Sequence, residues 1–403
     1  MFTCEKTAPP VYSASGVYLP LLMIRILYLI DTFFGPVGGT ENQILRIVQG
    51  VDPQRFHFDL VTLQESRWLE SADLPCRVHS LGIRSFRSLD FFRGQREFIA
   101  YCRDRDIDIV QTFFRDSSIV GMLWGRKAGV RTLIASRRNL GAGYWHNWMQ
   151  IRMLRHLAKH THHYVANSQA AAEEAIHVEK VPRNKVSVIP NCLDTTAFKA
   201  VDPSSRQQVR LGWGVPSDAL VVGSVANLRP IKNLDFLVRA ARLVVDRVPE
   251  AHFVVLGNGP LRGELEREVR TQGLQKHFFL PGASTHVARD LQAFDATVLC
   301  SKGESSPNAV LEYMAAGKAS VVADVGGCGE LIDDGVCGHT YPPGNHERFA
   351  ELLAELLRDA GKRQAMGDRA QKRARDRHDI GTVIPQLESF YASIADSRHS
   401  RGP

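Results

Sequence analysis

The chain has 403 residues, 44% hydrophobic and 23% charged, with a formal net charge of +7 and a pI near 9.1. That length is too great for one ordinary core and comfortable for two, and the composition excludes a disordered or fibrous chain. The mild basic excess suits an anionic ligand or an acidic membrane surface. Without a long Lys/Arg run or an RNA-binding aromatic pattern it does not point to nucleic acid.

Residues 1–22 carry turn and tail composition and are expected to form a disordered N-terminal extension. The apolar run 17–30 is broken by Pro20 and Arg25 and falls short of the roughly 20 residues a membrane helix needs. It has neither a basic leader nor a small-residue cleavage site. No later segment reads as a span, so any membrane attachment would be peripheral. The first strand is IRILYLI (24–30). FHFDLVTL (56–63), RVHSL (77–81), DIVQTF (108–113), RTLIAS (131–136), HHYVAN (162–167) and KVSVIP (185–190) follow, with helical patterns between them. Strand and helix alternating in this way predict a parallel sheet covered by helices. The alternation breaks over 191–219, which is polar and carries Pro and Gly. It restarts with LVVGSVA (220–226), HFVVLG (252–257), HFFLPG (277–282), ATVLCS (296–301) and ASVVAD (319–324). The stretch 345–397 reads as helical and Arg-rich. The expected class is α/β, with two Rossmann-like doubly wound domains facing across a cleft and ligands at the carboxyl ends of the strands.

Seven cysteines, at 4, 76, 102, 192, 300, 328 and 337, form no CxxC pair. An odd number at irregular spacing argues for reduced thiols in a cytoplasm. Asp104, Asp106 and Asp108 in DRDID suggest a metal site only weakly, because they end a helix and start a strand. His156, His160, His162 and His163 lack the carboxylate or Cys that would complete one. GYWHNWMQIRMLRHLAKH (143–160) sets Trp145, Trp148 and Met149 beside Arg152, Arg155 and Lys159. That pattern fits domain packing and, as the alternative, a membrane interface.

Four loops carry candidate chemistry. GPVGGTE (35–41) follows the first strand and opens a helix, whose free N–H groups suit an anion. Gly38 and Gly39 would let backbone approach a ligand, while Thr40 and Glu41 could equally cap the helix. In VANLRPIKN, Arg229 and Lys232 lie three apart after a strand, where two cations suit a pyrophosphate. Gly257 and Gly259 in LGNGP allow close approach or a simple turn. In SKGESSPNAVLEYMAAG, Glu304, Ser305, Ser306, Pro307 and Asn308 lead into a helix, with Pro307 expected at its first position. Seven residues separate Glu304 from Glu312. Capping accounts for Glu304 but not for Glu312, which suits vicinal hydroxyls such as those of a ribose. A further loop, VGGCGE, carries the pair Gly326–Gly327 and then Glu330.

SKGESSPNAVLEYMAAGKASVVADVGGCGELI closely resembles the signature of the family-4 retaining glycosyltransferases, also called glycosyl transferases group 1. VANSQAA (165–171), VSVIPNCLD (186–194), VANLRPIKNLDFLVRA (225–240) and GGTE (38–41) are similar to the family's counterparts in order and spacing. The resemblance covers about 23–380. It implies a GT-B architecture, with an acceptor-binding N-terminal domain (23–195) and a sugar-nucleotide-binding C-terminal domain (196–380). Residues 381–403 would be a C-terminal helix packing back on the N-terminal domain, then a tail. The implied catalytic residues are Glu304, Lys232 and Arg229. Glu304 would hold donor-sugar hydroxyls, and the two cations would neutralise the diphosphate leaving group. Gly38, Gly39, Thr40, Asn227, Gly257, Ser305, Ser306, Pro307, Asn308 and Glu312 would bind the donor, with Glu312 on the ribose. Glu41, Arg138 and Asn139 would stand on the acceptor side. Many members carry an Arg where this chain has Asn227, so Arg229 would have to compensate. Many carry a His in the region that here reads IASRRNLG.

The resemblance further implies no cofactor and no metal. The co-substrate is a nucleotide-diphosphate sugar, UDP- or GDP-linked, and the acceptor is a glycan or a lipid-linked molecule, in polysaccharide or glycoconjugate synthesis. The setting is cytoplasmic, with peripheral contact on the inner face of a membrane as a further option. The alternatives are a sugar-nucleotide 2-epimerase on the same architecture and a non-catalytic nucleotide-sugar-binding module.

Overall fold

The computed structural model describes residues 23–35, 38–141, 147–198 and 203–399. The predicted extension 1–22, Cys4 and Trp145 lie outside them. Two parallel sheets with helices between their strands make an α/β protein. The first sheet holds β1 (Ile24–Ile30), β2 (Phe56–Thr62), β3 (Arg77–Ser80), β4 (Ile109–Thr112), β5 (Thr132–Arg137), β6 (His163–Ala166) and β7 (Val186–Val188), in the order β3-β2-β1-β4-β5-β6-β7. The second holds β8 (Leu220–Val225), β9 (Ala251–Leu256), β10 (Phe278–Gly282), β11 (Ala296–Leu299), β12 (Ser320–Ala323) and β13 (His339–Tyr341), in the order β10-β9-β8-β11-β12-β13. In each, the chain reverses direction of travel across the sheet after its first strands. That switch point is where doubly wound sheets bind ligands.

By contact, the chain separates into two compact units. Among the described residues, one comprises 23–33, Val48–Leu133 and 388–399; the other comprises Phe34–Ile47 and Ile134–Leu387. In the first unit β1 lies between β2 and β4, Ile26 facing Phe58 on one side and Ile109 on the other. Tyr28 is fully buried there, with its ring edge-on to Phe58 and Phe113 at 4.8 Å. A buried phenol needs a partner, and Tyr28 Oη lies 2.6 Å from Tyr391 Oη, which donates to Gln111 Oε1. Asp106 and Asp108 are engaged by Arg25 at 3.0 Å, and Asp108 also by Arg131 at 3.2 Å. These aspartates join a helix end to the sheet.

In the second unit the helix Leu234–Arg247 buries Leu234, Leu237, Val238, Ala241, Val244 and Val245. This is a helical stripe, and each such Leu or Val is worth about 1.5–3 kcal/mol on burial. Arg210 is buried and held by Asp295 at 2.7 Å and by the carbonyls of Ala293 and Ala219 at 2.9 and 3.0 Å. The stretch 191–219, where the alternation breaks, contains a 3₁₀ turn, Thr195–Phe198, and the helix Pro203–Gly212. Cys102, Cys192, Cys300, Cys328 and Cys337 are buried thiols. The amphipathic segment begins its helix at Trp148 and ends it at Leu157. Leu154 and Leu157 are buried, while Trp148 and Met149 are exposed.

Candidate active site

The predicted site residues all belong to the second unit. After β8 the chain forms a short 3₁₀ turn, Pro230–Lys232. Asn233 follows in the left-handed region at φ 54° and leads into the helix Leu234–Arg247. This turn lifts Lys232 over the end of β11. There Lys232 Nζ meets Glu304 Oε1 at 2.6 Å, and Ser301 Oγ donates to the same oxygen at 2.6 Å. The two side chains are only 24% and 13% exposed. The pair is therefore held in a partly dry setting, where charge interactions exceed those of a surface ion pair. Lys232, Glu304 and Ser305 line a cavity of about 190 Å³ together with Arg138 and Asn139. A larger hollow of about 550 Å³ lies beside Arg247 and Arg358. Those residues end helices, which places it at the opposite edge of the sheet from the loops after the strands.

The backbone carrying Glu304 rests on the paired glycines. Gly326 has φ 52°, and a Cβ there would run into the Glu304 carbonyl; one on Gly327 would run into the Ser305 carbonyl. Gly327 N donates to Glu304 O at 3.0 Å. The glycine pair is thus required by close approach of the Glu304 loop. Gly257 and Gly259 have a similar cause. Their Cβ positions are filled by the carbonyls of Ala226 and Leu228, so the neighbouring loop approaches too closely for any side chain. Glu330 turns its carboxylate to the start of the helix Gln169–His177 and accepts from Gln169 N and Ala170 N at 2.7 Å each.

A polar network fixes the entry to the helix Asn308–Ala315. Asn191 Nδ2 donates to Ser306 O at 2.9 Å and to Asn308 Oδ1 at 2.8 Å, and Arg138 donates to Asn191 Oδ1 at 2.5 Å. Gln43 Nε2 also reaches Asn308 Oδ1, at 3.2 Å, and Asn308 Nδ2 donates to Gly39 O at 3.0 Å. Ser305 Oγ bonds Asn167 and lies 3.0 Å from Ser168 Oγ. Pro307 is the residue before the helix, at φ −71° and ψ 115°, one place earlier than its sequence context suggests. Its ring still sets the entry angle.

Glu312 stands on the second turn of that helix, its side chain 16% exposed, with Arg46 Nη2 at 3.8 Å. Burial pushes its carboxyl up to about 7, and the Arg46 charge only partly opposes this. Glu41 is likewise raised by burial, with Arg229 opposing. Arg229 and Asn227 are exposed and do not line the 190 Å³ cavity, while Thr40 and Gly38 flank the start of the helix Gly39–Gly50. Arg46, Gln43, Asn191 and Asn167 were not among the predicted site residues. Gln43 and Arg46 lie one turn apart on the helix that GGTE opens, a spacing that puts them on one face. Asn191 and Asn167 stand inside the IPN and VANS stretches. No group of three or more His, Cys, Asp or Glu side chains is placed to hold a metal ion among the described residues.

Residues 37–197 match the profile of Glycosyltransferase Family 4, and residues 205–373 that of Glycosyl transferases group 1. The chain belongs to the group 1, family-4 glycosyltransferases. Among its relatives are EpsF of Bacillus subtilis (strain 168), 26% identical over 309 residues, 71% of this chain and 76% of that one, and the Escherichia coli UDP-Gal:alpha-D-GlcNAc-diphosphoundecaprenol alpha-1,3-galactosyltransferase, 26% identical over 338 residues, 80% of this chain and 86% of that one. The crystal structure of Anabaena Alr3699/HepE in complex with UDP superposes with a TM-score of 0.81 at 22% identity. It covers 92% of this glycosyltransferase and 100% of HepE. At that identity the likeness speaks for the fold, which is GT-B. This glycosyltransferase therefore carries the predicted fold class.

Proposed function

We propose that this glycosyltransferase moves a sugar from a nucleotide-diphosphate sugar to a glycan or lipid-linked acceptor, with retention of anomeric configuration and without a bound metal ion. The observation that carries the reading is the Lys232–Glu304 contact at 2.6 Å, beside Ser305 and Arg138 in one cavity. A carboxylate oriented by an ammonium can take hydrogen bonds from sugar hydroxyls. The ammonium and Arg229 supply positive charge for a departing diphosphate. Glu312 serves the ribose. Gly38, Gly39 and Thr40 border the phosphates at a helix N-terminus, with Asn227 and Ser306–Asn308 completing the donor contacts. Glu41, Arg138 and Asn139 stand on the acceptor side.

The relatives support this choice of substrates. HepE has been crystallised with UDP and with UDP-glucose, and the Escherichia coli enzyme's name gives UDP-Gal as donor and a diphosphoundecaprenol as acceptor. No helix among the described residues is long and apolar enough to cross a membrane. A cytoplasmic enzyme meeting a lipid-borne acceptor at the inner membrane face fits the reading.

The test is a thermal-shift screen against UDP-, GDP-, ADP- and CDP-sugars with and without EDTA, since a ligand of the native state raises stability by mass action. Transfer assays with the donor that binds, read for product anomer by NMR, follow. An EDTA-insensitive shift and a retained anomer are expected. An inverted product, or loss of transfer on chelation restored by a divalent ion, sinks the corresponding part. Donor conversion without acceptor identifies an epimerase instead.

A further inference from the structure

The corner that leads into the helix Leu89–Asp104 has an inverted surface. Its buried stripe is Gly94, Phe98 and Cys102, with Phe91 packed on the buried Trp124 at 4.9 Å between ring centroids. The outward side should then be polar. It carries Leu89, 86% exposed, and Phe92, 61% exposed. Phe86, in the preceding loop, is also exposed and leans edge-on against Phe91 at 5.4 Å. Leaving a Leu and two Phe in water forgoes stabilisation that an apolar partner would restore.

The charged groups among them are mostly cationic. Residues 84–96 hold four arginines and one aspartate. Asp90 has Arg93 at 3.6 Å and Arg84 at 4.0 Å, while those two guanidinium side chains remain 65% and 87% exposed. Arg93 shares the outward helix face with Leu89 and Phe92, and Arg87 is exposed in the loop.

We propose that this corner, Arg84 to Arg96, docks the protein on an anionic lipid bilayer, Leu89 and Phe92 entering the headgroup boundary and the arginines resting on the phosphates. Apolar tips among basic side chains are what an interfacial contact uses, and each basic residue near an anionic surface is worth about fivefold in partitioning. A second copy of the same corner is disfavoured, because four arginines would face four. Single-stranded nucleic acid is the weaker fit, because the most exposed apolar residue is a Leu, which offers no face for base stacking. The surface stands independently of which sugar is transferred.

The test is flotation of the full chain with phosphatidylcholine vesicles, with and without phosphatidylglycerol. Binding to the anionic vesicles only is expected. Leu89→Ser/Phe92→Ser should weaken it about tenfold or more, and Arg84→Gln/Arg87→Gln by about twentyfold. Melting temperatures and transfer to a water-soluble acceptor should be unchanged in both, which separates failure of this surface from failure of the enzymatic reading. As an independent check, Phe92→Trp should gain fluorescence quenching by brominated lipid over the wild type. The proposal is overturned by absence of vesicle binding, or by binding that both double variants retain. It is equally overturned if the arginine pair matters and the apolar pair does not, or if the corner shifts single-stranded RNA in a gel while ignoring vesicles.

Discussion

Lys232 Nζ lies 2.6 Å from Glu304 Oε1, bridging loops 72 residues apart in the chain. The same oxygen accepts from Ser301. Both contacts hold one carboxylate in a fixed orientation, and electrostatic catalysis draws on preorganisation of this kind.

Lys232→Ala is expected to lower kcat by about 10²–10³-fold, with a stability change on the order of 1 kcal/mol, because both side chains keep some solvent contact. Glu304→Gln preserves the shape and removes the charge, and it should lose turnover with little change in melting. Steady-state kinetics alongside calorimetry checks both. If either folded variant turns over normally, the pair is a buttress for the loop.

Gly327→Ala should cost about 1–3 kcal/mol, because its Cβ would meet the Ser305 carbonyl, which is backbone and cannot swing aside. It should also weaken donor binding by displacing the Glu304 loop. Gly263 is the matched control. It sits in the helix Arg262–Thr271 with nothing near its Cβ position, so Gly263→Ala should stabilise by up to about 1 kcal/mol. Urea melts of the two variants decide this, and equal effects would remove the close-approach argument.

The same two glycine sites show what the sequence makes legible. Runs such as LVVGSV and ATVL announce buried parallel strands, and the glycines that follow announce loops at their ends. The edge strand β13, His339–Tyr341, was missed because HTY has no apolar run and is hemmed in by Gly338 and Pro342. Glu304 and Lys232 could be picked out because they stand in loops that follow strands and fall within the stretches that resemble the family's signature. Gln43 and Asn191 could not, since their meaning lies in partners more than 100 residues away. Gly257 was legible as special, and the Ala226 carbonyl against its Cβ position supplies a cause that the sequence does not name.

Arg210→Ala should be among the most damaging substitutions away from the site. It removes the buried donor to Asp295 and to the carbonyls of Ala293 and Ala219, while Arg206 and Val221 N still reach Asp295, so the expected cost is about 1.5–3 kcal/mol. Activity per folded molecule should be unchanged. A fall in kcat at full folding would show that the pair reaches the chemistry.

If Glu312 binds the donor, the protein's stability and its donor affinity should respond to pH in opposite senses. Its folded carboxyl is raised from 4.5 to about 7 by burial. A raised folded value means the native state binds the proton more tightly than the unfolded chain does. The associated stability is therefore present below about pH 4.5 and is lost as pH climbs to about 7. Glu312→Gln cannot lose it, so the variant should gain on the wild type across that window, by about 3 kcal/mol at most, and the difference should stay flat above. Donor binding runs the other way if Glu312 accepts ribose hydroxyls as a carboxylate. Affinity should rise with pH through about 7, and binding near pH 6 should release a proton. Calorimetry in two buffers of different ionisation enthalpy reads that proton directly. A stability difference that tracks pH with no proton released on binding would leave Glu312 as a buried partner of Arg46 and take it off the ribose.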